Sequence, residues 1–530
     1  MTQDGDVTRR SSSAALPAVV LSLALLGTAC SGSSTSGHTP GAASNPPSSA
    51  GASTEPSADA SAGSIAPIAV PQPPPLSWAG CKDGFECSTL AVPLDYTKPA
   101  AGTVSLRLIR IRASKPAKRV GSLLVNPGGP GVSAVDFLRG FAGGSLPTPI
   151  RQAFDLVAFD PRGTTGSSPV HCATTAEFDR YVHVDPDPDN PAEVKALVAA
   201  NQTFDAGCAR RSARILPHVS TVDAARDMDS VRAALREPKL TYLGYSYGTA
   251  LGAAYLDQFP THVRAMVLDG ALDPRSTWDQ LLAGQARGFD QALNSFLRWC
   301  DGHASLCDFR RAVSGELGKA FDALRAKVEA KDLPGDGSRT VGPGEFSYGT
   351  GQALYSTSYW EYLGTALAGA QRGDGSLLLQ LSDIYLDRSD KGYANTIDAN
   401  NAVNCLDKPW PKGSAPYAQL AEKVKAFAPR YGPGIAWSGE TCAEWPIPAT
   451  GRPHAVSGKG SPPILVIGTT RDPATPYVWA QGLAQQLDKG VLLTHVGDGH
   501  TAYRASAPAC IVNPVDTYLL TGRAPSASTC

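Results

Sequence analysis

One pentapeptide limits what this chain can fold into more than any other feature: Gly244-Tyr245-Ser246-Tyr247-Gly248. It follows a short apolar run at 240–243 and leads straight into residues 247–258, whose apolar spacing is helical. A serine between strand and helix sits on a tight, strained turn, and the flanking glycines leave room for the two elements to approach. Such a turn lifts the Ser246 hydroxyl to the edge of a sheet. It also aims the Tyr247 amide, at a helix N-terminus, toward negative charge developing beside the serine. In a chain with 53 glycines the pentapeptide alone could arise by chance. With a strand before it and a helix after it, it marks Ser246 as a nucleophile.

The surrounding rhythm agrees. Strands are expected at 89–94 and 104–111, then as continuous apolar runs at 122–125, 156–159, 240–243, 265–268, 464–467 and 491–495. Continuous apolar strands separated by helical patterns, such as 221–236 and 247–258, predict a mostly parallel sheet covered on both faces, the α/β class. Between 275 and 458 the pattern changes to longer helical stretches, including 279–299 and 314–330. This reads as a helical cap inserted between two parts of a core, 76–274 and 459–530, and placed over the C-terminal edge of the sheet.

The partners of Ser246 follow from the same logic. Asn126-Pro127-Gly128-Gly129-Pro130-Gly131 trails an earlier strand, where a second oxyanion donor belongs; Gly129 is preferred to Gly128 for that amide, beside Tyr247. The lack of a Gly-Lys-Ser/Thr ending argues against a phosphate loop. Asp472 stands just beyond the strand at 464–467, in position to orient a histidine. Of the nine histidines only His495 and His500 come later. His495 falls within a strand, whereas His500 lies on the loop after it and can reach both Ser246 and Asp472; Asp498 is the alternative acid. The order Ser, Asp, His is that of the α/β-hydrolase fold. The chemistry needs no cofactor.

Composition narrows the setting. A net charge of -1 with 18% charged residues carries no signature of binding to nucleic acid or an anionic membrane. Residues 1–29 read as a signal peptide: Arg9-Arg10, an apolar run, and small residues before Cys30 that resemble a lipobox. Cys30 is then the expected lipidation site, with cleavage and release as the alternative, and the Ser/Ala/Gly/Pro-rich stretch at 30–75 a tether. An extracytoplasmic monomer is expected, touching membrane only through that lipid. Ten further cysteines, an even number, suggest disulfides in an oxidising compartment. The simplest pairing joins neighbours: Cys81 with Cys87, Cys172 with Cys208, Cys300 with Cys307, Cys405 with Cys442, and Cys510 with Cys530. Connectivity is not fixed by spacing. Without a Cys-x-x-Cys pair, or a histidine at ligand spacing beside a cysteine, no metal site is expected.

Six motifs together resemble the secreted actinobacterial tripeptidyl aminopeptidases, relatives of the proline-iminopeptidase-like serine peptidases. They are Val92-Pro93-Leu94-Asp95-Tyr96, 126–131, Asp160-Pro161-Arg162-Gly163, the Ser246 pentapeptide, Leu268-Asp269-Gly270, and 468–476 around Asp472. The resemblance runs from about residue 87 to 510, and Asn126, where proline iminopeptidases carry His, points to the tripeptidyl branch. It implies an α/β-hydrolase fold with a C-terminal region of that family's type, and cleavage of short peptides from a free N-terminus. Such an enzyme needs an anion for the substrate's ammonium. A bridge between Cys405 and Cys442 would bring Asp407 and Glu444 together for that role. A carboxylesterase using the same three residues, and a lipid-tethered binding protein on a hydrolase scaffold, are the competing readings.

Overall fold

Ten strands form one sheet in the order β1-β2-β3-β5-β4-β6-β7-β8-β9-β10. They are β1 (Ala79–Gly80), β2 (Glu86–Pro93), β3 (Thr103–Ile111), β4 (Gly121–Asn126), β5 (Phe154–Phe159), β6 (Leu240–Tyr245), β7 (Val263–Asp269), β8 (Ile464–Arg471), β9 (Gly490–Asp498) and β10 (Ser528–Thr529). The structure, a computed structural model, describes residues 70–141 and 144–530. The expected signal peptide, Cys30 and nearly all of the expected tether lie outside the described residues. β1, β2, β3 and β5 pair antiparallel in turn, and from β5 onward every pairing is parallel. In β4, β5 and β6 every residue is buried, as a parallel sheet covered on both faces requires.

The order reverses around β4. The chain places β5 on one side of it and β6 on the other, so a crevice opens at the C-terminal ends of β4 and β6. Asn126 and Gly244 are register partners there, which brings the 126–131 loop against the Ser246 turn.

Helices follow the expected pattern: α1 (Pro191–Ser212), α2 (Thr221–Ala234), α3 (Tyr247–Gln258), α4 (Trp278–Gly302), α5 (Pro343–Leu354), α6 (Thr396–Asp407) and α7 (Gly432–Ser438) are those that matter below. Asn190 caps α1 by accepting from the amides of Ala192 and Glu193, and Ser220 caps α2 through Asp223 N. The helices between β7 and β8 have a core of their own, built around Phe296, Phe309, Phe321, Phe346 and Trp360. The roof over the sheet is not made by that insertion alone. Residues between β5 and β6 join it: Asn201 of α1 donates to Glu440, and Tyr181 meets Thr441 at 3.2 Å. No local signal in 160–220 announces this, because the contacts are made across more than 200 residues.

Two of the quoted motifs turn out to be a buried clamp. The Arg162 guanidinium, fully buried, reaches Asp227 Oδ1 at 2.6 Å and the carbonyls of Pro93 and Leu94 at 3.0 Å, while the Tyr96 hydroxyl donates to Asp227 at 2.8 Å. A buried guanidinium is tolerated only when its donors are answered this fully. The five cysteine pairs are the neighbouring ones, with Cα separations of 5.7, 3.8, 5.2, 5.2 and 5.8 Å in chain order. Among the described residues no helix is long and apolar enough to cross a membrane.

Candidate active site

Ser246 links the end of β6 to the start of α3 with φ 54° and ψ -125°, a conformation that a residue with a Cβ adopts only under constraint. The constraint is visible in the flanking glycines. A Cβ on Gly244 would lie 2.5 Å from the Gly248 carbonyl, and one on Gly248 would lie 2.8 Å from the Asn126 carbonyl. Across the crevice the Asn126 side chain accepts the Gly128 amide at 2.9 Å, so that amide is engaged. Gly129, Ser246 and Tyr247 share one cavity of about 290 Å³. As the first residue of α3, Tyr247 has no acceptor within the helix for its amide.

The two remaining members arrive from adjacent strand ends. Arg471, closing β8, pairs with Asp498, closing β9, through two contacts of 2.7 and 2.8 Å. This bidentate pair occupies Asp498, the alternative acid, and sets the strand ends level. Asp472 and His500 then emerge side by side. His500 Nδ1 lies 2.9 Å from both carboxylate oxygens of Asp472, whose Oδ1 also accepts the amides of Ala474 and Thr475. Asp472 is 3% exposed. With Nδ1 facing a carboxylate, that nitrogen carries the proton and Nε2 is the acceptor. Nε2 is buried and has no hydrogen-bond partner. Burial works against protonation of His500, but the charges of Asp472 and Asp269 outweigh it and raise its pKa above the usual value.

The ring is held from further sides. The Tyr355 carbonyl accepts the His500 amide at 2.8 Å, and the Tyr355 ring stands edge-on to the imidazole with centroids 5.4 Å apart. Thr475, whose hydroxyl is 3.3 Å from Nδ1, lines the cavity with Ser246. His495 lies within β9, with its Nδ1 buried and unpartnered.

Asp407 and Glu444 do not come to the cleft. The Asp407 carboxylate accepts from the amide and hydroxyl of Thr221, whose hydroxyl lies 2.6 Å from the Tyr247 hydroxyl; Glu444 is exposed. Neither is among the residues lining the cavity. The bridge between Cys405 and Cys442 does join their segments, but Asp407 turns to the start of α2 instead. Two acids that sequence reasoning missed stand behind the cleft wall. Glu440, 3% exposed, accepts from Asn201, which lines the cavity, and Asn201 in turn accepts from Thr441 at 3.0 Å. Asp205, 5% exposed, is pushed up to about 8 by burial and by the charges of Glu440 and Glu444. Neither sits in a local motif.

The chain is similar to several known proteins. Residues 428–530 match the family described as TAP-like protein. Serine protease Hip1 of Mycobacterium tuberculosis is 38% identical over 479 residues, covering 85% of this chain and 90% of its own. Carboxylesterase B of the same organism is 39% identical over 496 residues, covering 90% and 93%. The tripeptidyl aminopeptidase of Streptomyces lividans is 34% identical over 465 residues, covering 84% and 85%. Fold and relatives define a serine hydrolase of the α/β-hydrolase class. The chain belongs to the tripeptidyl aminopeptidase family of serine peptidases.

Proposed function

We propose that this protein is an exported exopeptidase that releases short peptides, tripeptides foremost, from free N-termini through an acyl-enzyme on Ser246. The observation that carries the reading is the Asp472 carboxylate on His500 Nδ1 at 2.9 Å, with Nε2 buried and unpartnered. Nε2 takes the Ser246 proton as the hydroxyl attacks the substrate carbonyl, and Asp472 stabilises the imidazolium. The amides of Gly129 and Tyr247 receive the oxyanion. The imidazolium gives its proton to the leaving amine, and water then cleaves the ester with His500 again as base. The Ser246 hydroxyl and Nε2 are not hydrogen-bonded in this state, and such contacts commonly tighten only when substrate binds.

Support for the substrate class comes from the cleft wall. Asn201, Asn400 and Asn404 line the cavity, with the Glu440 carboxylate behind Asn201. A polar wall with a buried acid behind it suits an ammonium group better than a neutral ester tail. Export fits five disulfides, which persist in oxidising compartments. Lipidation at Cys30 would keep the enzyme at the membrane surface.

The Carboxylesterase B relative favours a second reading, hydrolysis of small esters by the same residues. Kinetics on tripeptide amides with free and with acylated N-termini, beside a short-chain ester, separate the two. Preference for free termini supports the exopeptidase; hydrolysis of the ester alone defeats it.

A further inference from the structure

A second cavity of about 200 Å³ lies within the roof and adjoins the Ser246 cleft, sharing Pro186, Gln285, Tyr348, Tyr355, Tyr385, Gly434 and Ser438 with it. The three tyrosines of this shared wall pack together. Tyr348 stacks on Tyr385 at 5.3 Å, and Tyr355, the residue edge-on to His500, packs against Tyr385 at 6.3 Å and Phe289 at 5.5 Å. Behind that wall Phe321, Val328, Phe346 and Ile435 line the space, with Asp185, Asp187, Arg325, Glu329 and Arg430 at its edge.

Most of the polar groups at its edge are engaged with neighbours, and the Asp185 carboxylate accepts the Asp187 amide at 2.8 Å. The Tyr431 hydroxyl donates to Thr350 at 2.8 Å, and the Thr350 hydroxyl donates to the Phe346 carbonyl at 2.7 Å. Arg325 pairs with Asp187 at 3.3 Å and Glu329 at 3.1 Å, while Arg430 pairs with Asp322 at 2.6 Å. A concave space with an aromatic wall, and with both its guanidinium groups paired, suits an apolar group.

Gly351 shows how the space is kept. On α5, a Cβ at Gly344 would meet the Val182 carbonyl at 1.7 Å, and one at Gly349 would meet the Leu378 carbonyl at 2.4 Å. Those glycines permit close backbone approach. Gly351 differs: its Cβ would find nothing nearer than Tyr431 Cε1 at 3.9 Å, and it lines the cavity. A glycine inside a helix is less stable than an alanine, and at this position no crowding demands one.

We propose that this cavity is a specificity pocket that receives a large apolar side chain, aromatic ones foremost, from the acyl part of the substrate, and that Gly351 sets how large a group fits. The proposal rests on acyl transfer at Ser246 as read above. A side chain entering it passes the Tyr355 wall, so the group that selects the substrate lies one ring away from the base.

The test uses the full chain with Gly351→Ala and Gly351→Leu. Substrates are free tripeptide amides carrying Phe or Ala at each position in turn, and the readout is the Phe-to-Ala ratio of kcat/KM. Wild type should prefer Phe at one position by about tenfold or more. That ratio should fall part-way in Gly351→Ala and by at least about tenfold in Gly351→Leu. Ratios equal in all three proteins, at every position, overturn the pocket. Should Gly351→Leu not fold, as judged by its thermal transition, Gly351→Ala carries the comparison. If no peptide is cleaved while a phosphonate still labels Ser246, it is the exopeptidase reading that fails. The same variants on phenylpropanoate and acetate esters then decide the pocket: loss of the aromatic preference supports it, and an unchanged ratio overturns it.

Discussion

The Asp269 carbonyl accepts the Ser246 amide at 2.9 Å, so the last residue of β7 holds the Ser246 turn. The same residue reaches the other half of the site: its carboxylate accepts the amides of Ala502 and Tyr503 at distances from 2.7 to 3.1 Å. A Cβ on the next residue, Gly270, would lie 3.2 Å from His500 Cε1. Asp269 therefore spans Ser246 and the His500 loop as one positioning residue. Burial pushes its carboxyl up to about 6.

The first prediction concerns pH. His500 must be neutral to act as base, so kcat/KM should rise as it loses its proton, with a midpoint above the usual histidine value of about 6.5. Asp472, Asp269, Thr475 and Tyr355 are the groups that face the ring. Asp269→Asn removes one of the two charges that raise the pKa, so the midpoint should move to lower pH. A midpoint that stays or rises would show that Asp269 acts only through packing. Asp269→Glu, which restores the charge, should return part of the shift.

Removing the proposed nucleophile or its proposed orienting acid should silence turnover without unfolding the chain. Ser246→Ala and Asp472→Asn are each expected to lower kcat by about 10⁴-fold or more. Ser246→Ala should keep its thermal midpoint, since the hydroxyl has no structural hydrogen bond among those described. Normal turnover in either variant would remove that residue from the mechanism.

Glu440→Gln is expected to raise KM for tripeptide amides with free N-termini by several-fold, up to about tenfold, because its charge acts on the ammonium from behind Asn201. Acylated substrates should be unaffected. An equal effect on both kinds would mean that Glu440 supports only Asn201 and the wall.

The bridge between Cys405 and Cys442 closes a loop with a sequence separation of 37 and ties α6 to the turn that bears Glu440. Chain-entropy reasoning gives it about 4 kcal/mol. Replacing both cysteines by serine should lower the urea midpoint accordingly, and reductant, which also opens the other four bridges, should destabilise wild type by more than it does the variant.

Much of this layout is legible in the order of residues. All eight expected strands coincide with observed ones to within a few residues; those buried on both faces, such as β4, β5 and β6, are written as unbroken apolar runs. The helix at 247–258 has the expected bounds. Ser246, Asp472 and His500 stand out because each follows a strand end, and strand ends are local features. Asp407 and Glu444 illustrate the opposite case. Their segments are joined by a disulfide, yet which way each carboxylate turns depends on Thr221 and on solvent, neither of which is near in sequence. Glu440 and Asp205 escaped notice for the same reason.

By itself, then, the sequence determined the parallel α/β core, the strained serine turn and the residue types available at each strand end, since propensity, glycine placement and apolar runs act over a few neighbours. Only the tertiary structure decided that Asp269 braces Ser246 and the His500 loop together. It alone joined residues of the 160–220 segment to the roof, and left a cavity facing Gly351. Those outcomes depend on packing between segments separated by tens to hundreds of residues, where the energy lies in matched surfaces and shared hydrogen bonds that no local pattern encodes.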